Sequence, residues 1–247
     1  MSQVRALLPT LVLLVGVLLV WELLVRSLQV PVYLVPAPTA VAARWVRDPG
    51  FFLVEGGVSL AEALGGLLVG GGAALGAGVL MARLRWLERA LLPIALLLKL
   101  TPVVVLAPLF VLWFGFGPAP RVLIAALLTF FPVLIGAVTG LRAVPAAQRD
   151  VLAILDASPV DEAWLLRLPA ALPHLFAAVK VSATLALLGA VIAEWVGGDR
   201  GLGRDILLAN SNLDTPTTLA GVVTLAAIGI GLVGTLTLIE RRVIFWQ

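Results

Sequence analysis

The most informative stretch of the chain is a polar segment, residues 142–169, which reads RAVPAAQRDVLAILDASPVDEAWLLRLP. Apolar residues recur at helical spacing on both sides of a central turn, at Val151, Leu152, Ile154 and Leu155 and then at Val160, Trp164, Leu165 and Leu168. Ser158 is a favourable N-cap, Pro159 suits the first helical position, and Asp161 follows three residues after the cap. The pattern predicts two short amphipathic helices joined by a bend at residues 156–158.

We interpret this segment as a rigid elbow that projects from a larger helical bundle. Its apolar stripes are expected to pack against that bundle, while its tip inserts into a cleft of a cytosolic partner. The alternative interpretation is a pair of interfacial helices that lie flat on lipid headgroups.

The rest of the chain is strongly apolar. Of its 247 residues, 61% are hydrophobic and 13% are charged, and the mean hydropathy is +1.11. Soluble domains are about 45–50% apolar and about 25% charged, so this composition excludes a large soluble catalytic domain. The sequence therefore predicts an all-α integral membrane protein.

Six apolar runs could each cross a bilayer, whose hydrocarbon core of about 30 Å needs about 20 helical residues. They cover approximately residues 7–25, 58–81, 90–114, 121–141, 171–195 and 215–239. The first run is predicted to be a membrane helix rather than a signal peptide, because no small-residue cleavage site follows it closely. The third run is interrupted by prolines, so we expect it to lie inside the bundle, where protein or water satisfies the freed carbonyls.

Glycines spaced four residues apart occur in the second run, at Gly66 and Gly70 and again at Gly72 and Gly76. Small residues at this spacing allow two helices to approach closely in lipid, where packing drives helix association. Both pairs are therefore predicted to be helix-packing positions.

The charges indicate topology rather than nucleic-acid binding. The net charge is +3, but the arginines are scattered between apolar runs instead of clustering on one exposed face. If the N-terminus is cytoplasmic, nine arginines lie in inner loops and six in outer loops. The positive-inside rule therefore favours a cytoplasmic N-terminus.

The residue inventory argues against catalysis by this chain. There is no cysteine, and His174 is the single histidine, so neither a thiol nucleophile nor a histidine cluster for a metal is available. The phosphate-binding pattern G-x-x-x-x-G-K-[ST] is missing from the sequence. An energy source for uphill transport would have to reside on a separate chain.

The polar segment resembles the coupling (EAA) motif of ABC importer permeases of bacteria. Asp150 stands at the position of the motif's Glu, Asp156 at that of its Gly, Ala157-Ser158 match the Ala-Ser that commonly follows, and Leu168-Pro169 match the closing pair. Asp156 replaces a Gly at a left-handed position, but Asp is among the few residues that tolerate positive φ. The Glu-Ala-Ala itself is replaced by Asp150-Val151-Leu152.

More narrowly, the chain resembles the nitrate, sulfonate, taurine and thiamine-precursor branch of these permeases. The ordered signature covers roughly the last two thirds of the chain and includes residues 101–102, 107–109, 113–117, 130–132, 169–173, 193–194, 201–203 and 240–242. The resemblance implies a type I ABC importer (MetI-like) permease fold with about six transmembrane helices. Residues 1–56 would hold the first helix and an external Pro-rich segment, and residues 57–247 the core permease domain with its coupling elbow at 142–169.

The resemblance also implies function and partners. The chain would be the multi-pass permease subunit in a bacterial plasma membrane, moving a small solute inward by alternating access. Its partners would be a separate ABC ATPase dimer that binds ATP and Mg²⁺, a second permease copy in a homodimer, and an extracytoplasmic solute-binding protein. The implied coupling residues are Asp150, Asp156, Ala157, Ser158, Pro159, Leu168 and Pro169.

Charged residues inside the spans are candidates for the solute pathway, because such charges are costly unless they face protein or water. Lys99 and Lys180 are the only lysines and could attract an anionic solute. Structural pairing of these lysines with Glu62 or Glu194, or snorkelling, is the alternative. The pathway candidates are Lys99, Thr101, Pro102, Lys180 and Glu194, although Glu194 could instead pair with Arg200 or Arg204.

The binding protein would dock on the outer loops, residues 29–57 and 196–214. Gly201, Gly203 and Arg204 are the docking candidates, or else they form a solvated turn. A different functional class, a secondary transporter or channel without an ATPase, would favour inverted repeats and intramembrane carboxylates, for which only Glu62 and Glu194 are available.

Overall fold

The computed structural model describes residues 2–246, except for the side chains of residues 2–7, 85, 92, 94–96, 98–100, 146 and 153. Across the described residues the regular structure is helical. The helices are α1 (Ser2–Ser27), α2 (Pro38–Arg47), α3 (Pro49–Arg83), α4 (Arg85–Leu100), α5 (Val103–Phe114), α6 (Pro118–Arg142), α7 (Ala146–Ile154), α8 (Pro159–Glu162), α9 (Leu168–Gly197), α10 (Leu202–Ser211) and α11 (Thr215–Val243).

Five helical segments are long and apolar enough to cross a membrane. They are Leu8–Ser27, Pro49–Arg83, Pro118–Arg142, Pro159–Gly197 and Thr215–Val243. These segments confirm five of the six predicted spans, and the helical architecture of the described residues agrees with the type I importer (MetI-like) permease fold that the resemblance implies.

The third predicted span is divided into two shorter helices, α4 and α5. The break lies at Thr101-Pro102, where Pro102 caps α5 with extended backbone torsions. Proline disfavours a helical conformation of the residue before it and has no N–H to donate, which accounts for the break. The helix α5 packs on α6 and α9 through Ala107, which is buried, while Val105 and Leu112 on its other side are exposed.

The centre of the bundle is formed by α3, α6 and α9. Gly66 and Gly70 let α3 approach α6, because a Cβ added at Gly70 would lie 2.1 Å from the carbonyl oxygen of Ala126. This confirms the predicted packing role for the first glycine pair. The same prediction is wrong for Gly72 and Gly76, which have no atom within 4 Å of an added Cβ because they lie on a different face of the helix.

The helix α3 starts earlier than the apolar run predicts. Asp48 is its N-cap, and the carboxylate of Asp48 accepts a hydrogen bond from the N–H of Phe51 at 3.1 Å. Because α3 runs from Pro49 without interruption, the domain boundary predicted between residues 56 and 57 falls inside this helix.

The bundle has two ends of different composition. We call one the loop end, which carries α2, α10 and the turns at residues 115–117 and 198–201. We call the other the elbow end, which carries the α3–α4 turn and residues 142–168.

Candidate functional site

The bend of the elbow is a helix-terminating turn built around Asp156. The helix α7 ends at Ile154, and Asp156 adopts a φ of +53°. The N–H of Ala157 donates to the carbonyl of Leu152 at 3.0 Å, which is the long-range bond of a Schellman motif. The prediction that Asp156 takes the left-handed conformation of the family's Gly is therefore confirmed.

A capping box starts the next helix, as predicted. The Ser158 hydroxyl accepts from the N–H of Asp161 at 3.2 Å, and the Asp161 carboxylate accepts from the N–H of Ser158 at 3.0 Å. Pro159 occupies the first helical position. Hydrogen bonds to backbone groups therefore stabilise the bend on both sides.

The second half of the elbow is continuous with the fifth span, and the prediction of two separate short helices is wrong here. After α8, residues Ala163–Arg167 form a π-helical turn that leads directly into α9. The N–H of Leu168 donates to the carbonyl of Ala163, five residues earlier. This wider turn accommodates Pro169, which lacks an N–H and would crowd the carbonyl of Leu165 in a regular α-helix.

The apolar stripes of the elbow are exposed, so the prediction that they pack against the bundle is wrong. Ile154 is 83% exposed and Leu155 is 70% exposed, and Val151, Val160, Trp164 and Leu165 are exposed too. The coupling candidates Asp150, Asp156, Ser158 and Pro159 are also exposed, whereas Ala157, Leu168 and Pro169 are half-buried. Exposed apolar side chains beside polar groups are typical of a contact surface for another protein or for a membrane.

At the loop end, the structure forms a buried charge network around Arg121, which is 3% exposed. Its guanidinium donates to the Glu62 carboxylate at 2.5 Å and to the Asp199 carboxylate at 2.6 Å. It also donates to the backbone carbonyls of Gly117 at 2.8 Å and Arg200 at 3.0 Å. The sequence analysis missed this residue, because it treated Arg121 only as one of the charges that indicate topology.

Two further carboxylates bind the backbone of the 198–203 loop. Glu194 is 1% exposed and accepts from the N–H of Gly203 at 2.5 Å. Glu55 accepts from the N–H of Gly201 at 2.9 Å and from the Arg200 guanidinium at 3.0 Å. Glu194 therefore binds loop backbone, and the predicted alternative that it pairs with the guanidinium group of Arg200 or Arg204 is wrong.

The predicted docking residues are placed differently from one another. Gly201 and Gly203 are buried, and their N–H groups are used inside the chain. Arg204 is partly exposed and pairs with Asp205 at 3.0 Å. Of the three, Arg204 is the residue that presents side-chain surface at the loop end.

The predicted pathway residues do not converge on one site within the described part of the chain. The Lys180 ammonium donates to Glu240 on α11 at 2.7 Å, so the predicted partners Glu62 and Glu194 are wrong for this lysine. Sequence spacing could not identify Glu240, because it lies 60 residues from Lys180. The side chain of Lys99 lies outside the described residues.

The other two pathway candidates form the α4–α5 break. The Thr101 hydroxyl donates to the carbonyl of Leu97 at 3.4 Å, and Pro102 is the cap of α5. This break and Lys180 belong to different helices, and Glu194 lies at the loop end.

Comparison with known proteins identifies the family. Residues 74–245 match the family described as the binding-protein-dependent transport system inner membrane component. The chain is 37% identical over 235 residues to the riboflavin transport system permease protein RibX of Chloroflexus aurantiacus, covering 93% of this chain and 87% of that protein.

Two other relatives carry different transport names. The formylaminopyrimidine transport permease protein ThiX of Halalkalibacterium halodurans is 28% identical, covering 98% of this chain and 97% of that protein. The taurine transport system permease protein TauC of Escherichia coli is 31% identical, covering 63% of this chain and 56% of that protein. Since the family match spans most of the chain, the protein belongs to the binding-protein-dependent transport system inner membrane components, as the non-catalytic, multi-pass permease subunit of an ABC importer of the sulfonate, taurine and thiamine-precursor branch.

Proposed function

We propose that the elbow at residues 142–169 transmits the ATPase cycle to this permease by docking into a separate ABC ATPase dimer. The coupling residues are Asp150, Asp156, Ala157, Ser158, Pro159, Leu168 and Pro169. The observation that carries the proposal is the exposed apolar surface, led by Ile154 and Leu155, on a bend with fixed backbone conformation. ATP and Mg²⁺ belong to the partner ATPase, because this sequence has no phosphate-binding loop.

A protein partner fits this surface better than lipid headgroups do. The carboxylates of Asp150, Asp156 and Asp161 are exposed along the same bend. Anionic lipids give the membrane surface a negative potential, which repels carboxylates held against it. The combination of exposed apolar and acidic side chains instead favours a cleft in a protein.

The coupling test compares an elbow variant with a matched variant at the loop end. Leu155→Arg places a charge on the exposed elbow, and Leu34→Arg places the same charge on a residue that is similarly exposed elsewhere. We expect Leu155→Arg to abolish copurification of the ATPase and transport-linked ATP hydrolysis. Leu34→Arg, which lies in the proposed docking region of the binding protein, should preserve copurification of the ATPase. Wild-type hydrolysis and copurification in Leu155→Arg would refute the proposed coupling surface.

The proposed orientation has the N-terminus and the elbow in the cytoplasm. It is supported by the excess of arginines in the loops on that side of the membrane. The chain contains no cysteine, so single cysteines report accessibility without background. In intact cells, a membrane-impermeant maleimide should label Asn212→Cys but not Leu155→Cys, and the reverse pattern would invert the topology.

The proposed assembly has two copies of this permease with the solute path on their two-fold axis. Exposed apolar faces support a second copy, including the side of α5 that carries Val105 and Leu112. An extracytoplasmic binding protein would deliver solute to the loop end, where residues 29–57 and 196–214 supply surface that includes Arg204. Disulfide formation between copies carrying Leu112→Cys tests the dimer, and exclusive monomers in a functional complex would contradict it.

The proposed cargo is a small solute of the sulfonate, taurine or pyrimidine-precursor type. The names of TauC and ThiX support these classes, and the name of RibX adds riboflavin to the set to be tested. Lys99, Thr101, Pro102, Lys180 and Glu194 are the proposed pathway residues. Uptake of each labelled solute by proteoliposomes that contain the complete importer would distinguish the classes, and Lys99→Met should reduce the uptake of anions more than that of neutral solutes.

A further inference from the structure

A two-chambered cleft lies at the elbow end, between the C-terminal part of α3, the end of α6 and the start of the α8–α9 run. Each chamber has a volume of about 710 Å³. Ala82, Arg83, Leu141 and Arg167 line both chambers, so the two spaces are contiguous. The cleft adjoins the proposed coupling surface, because Pro159 and Leu168 line the apolar chamber while Ile154 and Leu155 line neither chamber.

The first chamber is strongly basic. It is lined by Arg83, Arg142, Arg149 and Arg167, together with Trp86. Glu88 pairs with Arg142, and Glu162 pairs with Arg167. Within the part of the chain whose side chains are described, these are the two ion pairs that the four arginines form. Arg83 and Arg149 therefore give the chamber an excess of positive charge.

The second chamber is mainly apolar. Its walls include Val79 from α3, Leu141 from α6 and Val160, Trp164 and Leu168 from the run that begins at Pro159. The polar side chains there are those of Arg83, Glu162 and Arg167, which lie towards the basic chamber or in the ion pair already described. One continuous cleft therefore offers a cationic pocket beside an apolar channel.

The exposed tryptophans and the ends of two helices indicate that the cleft lies near the depth of the lipid headgroups. Trp86 and Trp164 are each 66% exposed, one beside each chamber. Exposed tryptophans at the ends of spans concentrate at the depth of the lipid headgroups. Both α3 and α6 also end at this level, at Arg83 and Arg142.

We infer that this cleft binds one anionic phospholipid, with its phosphodiester among the arginines and an acyl chain along the apolar chamber. Guanidinium groups bind phosphate oxygens with two parallel hydrogen bonds, which a single lysine does not provide. The apolar chamber would be filled by an acyl chain, which neither inorganic phosphate nor an acidic peptide carries. The lipid would bridge α3, α6 and the base of the elbow.

The test uses the full-length permease, purified in a neutral detergent and stripped of lipid. Bound lipid is counted by native mass spectrometry after addition of phosphatidylglycerol, phosphatidylcholine or inorganic phosphate. The cleft variant is Arg83→Gln combined with Arg149→Gln. The matched control is Arg241→Gln combined with Arg242→Gln, which removes the same charge from exposed arginines at the end of α11, outside the cleft.

We expect wild type and the control to retain one phosphatidylglycerol in preference to phosphatidylcholine. Each arginine removed from the cleft should weaken retention about fivefold, so the double cleft variant should lose about 25-fold. Trp164→Ala should weaken retention of phosphatidylglycerol without changing the response to phosphate. Equal retention by the cleft variant and the control would overturn the inference.

Other outcomes also decide the question. Stabilisation of the wild type by inorganic phosphate as strong as that by phosphatidylglycerol would show an anion site without a lipid, and would overturn the inference. Protection of the cleft from labelling at Arg83→Cys only when the ATPase is present would assign the cleft to that protein. If the double variant does not fold, the retention of lipid by the wild type is measured at increasing salt concentration instead. A preference for phosphatidylglycerol over phosphatidylcholine that is unchanged at high salt would contradict an arginine-based site.

Discussion

The loop end and the elbow end of the bundle differ in how their charged and apolar side chains are covered. At the loop end, Arg121, Glu62 and Asp199 are joined to one another, and Glu55 and Glu194 bind loop backbone. At the elbow end, apolar side chains such as Ile154 point outward and basic side chains line an open cleft. The loop end pairs most of its charged groups within the chain, although Glu62 Oε2 and Glu194 Oε1 are buried without a hydrogen-bond partner among the described residues. The elbow end instead leaves surfaces that other molecules would cover.

This difference predicts two kinds of mutational effect. Changes at the loop end should lower the free energy of unfolding of the permease itself, because its buried charges have internal partners. Changes on the elbow should leave the permease folded and alter its association with the ATPase. The following predictions test this contrast in order of decreasing effect.

Arg121→Met should have the largest effect. It would leave the buried Glu62 carboxylate without its cation and the carbonyls of Gly117 and Arg200 without their donor. Breaking a buried ion pair by removing one partner costs about 3–5 kcal/mol of unfolding free energy. Thermal unfolding in detergent measures this loss, and Arg47→Met, at an exposed position of the same end, is the control. Equal stability of the two variants would remove the basis of the contrast.

Gly201→Ala should have the next largest effect. Gly201 has a φ of +110°, and an added Cβ would lie 2.3 Å from the Glu194 carboxyl carbon. Because both the backbone and the neighbouring carboxylate would have to shift, we expect a loss of about 1–3 kcal/mol. Gly57→Ala is the control, since an added Cβ meets no atom within 4 Å there. If Gly201→Ala leaves the free energy of unfolding unchanged, the 198–203 loop adjusts freely to the added methyl group.

Ser158→Ala should affect coupling more than folding. It removes the hydroxyl that accepts from the N–H of Asp161, and loss of such a cap costs about 1 kcal/mol of local helix stability. We expect ATP hydrolysis by the assembled complex to become less dependent on solute, while the unfolding temperature of the permease changes little. Ser211→Ala at the loop end is the control, and an equal effect of both on hydrolysis would contradict the assignment.

The pH dependence of the loop end should be the smallest effect. The backbone N–H of Asp199 and the Arg121 guanidinium hold the pKa of the Asp199 carboxyl below its ordinary value of 3.8. A lowered pKa in the folded state contributes stability above that ordinary value, and this contribution is lost as the pH falls through the folded pKa. When the free energy of unfolding is measured against pH, Asp199→Asn should therefore lose less stability in acid than the wild type does. An equal loss would show that Asp199 does not contribute.

The parts of the elbow that depend on local chemistry could be predicted from the sequence. The left-handed Asp156 and the capping box of Ser158 with Asp161 involve residues at most a few positions apart. The continuity of α8 with α9 could not be predicted, because Pro169 is unfavourable in a regular α-helix, and the π-helical turn that accommodates it is not a pattern in residue types.

Contacts between residues that are far apart in the chain could not be predicted from the sequence. Arg121 and Glu62 are 59 positions apart, and Lys180 and Glu240 are 60 apart, so spacing could indicate a need for partners but not their identity. The glycines illustrate the same limit. Both pairs have the right spacing for close packing, but only the three-dimensional arrangement determines that Gly66 and Gly70 face α6 while Gly72 and Gly76 do not.

The π-helical turn at Ala163–Arg167 has a mechanical consequence. It joins the elbow to α9 in one helical segment of 39 residues, Pro159–Gly197, whose far end holds the Glu194 carboxylate against Gly203. A displacement at Pro159 can therefore be transmitted along one continuous helical segment to the loop end of the bundle. If the elbow docks to the ATPase as proposed, the irregular hydrogen bonding of this π-helical turn would influence how much of an ATPase movement reaches the loop end.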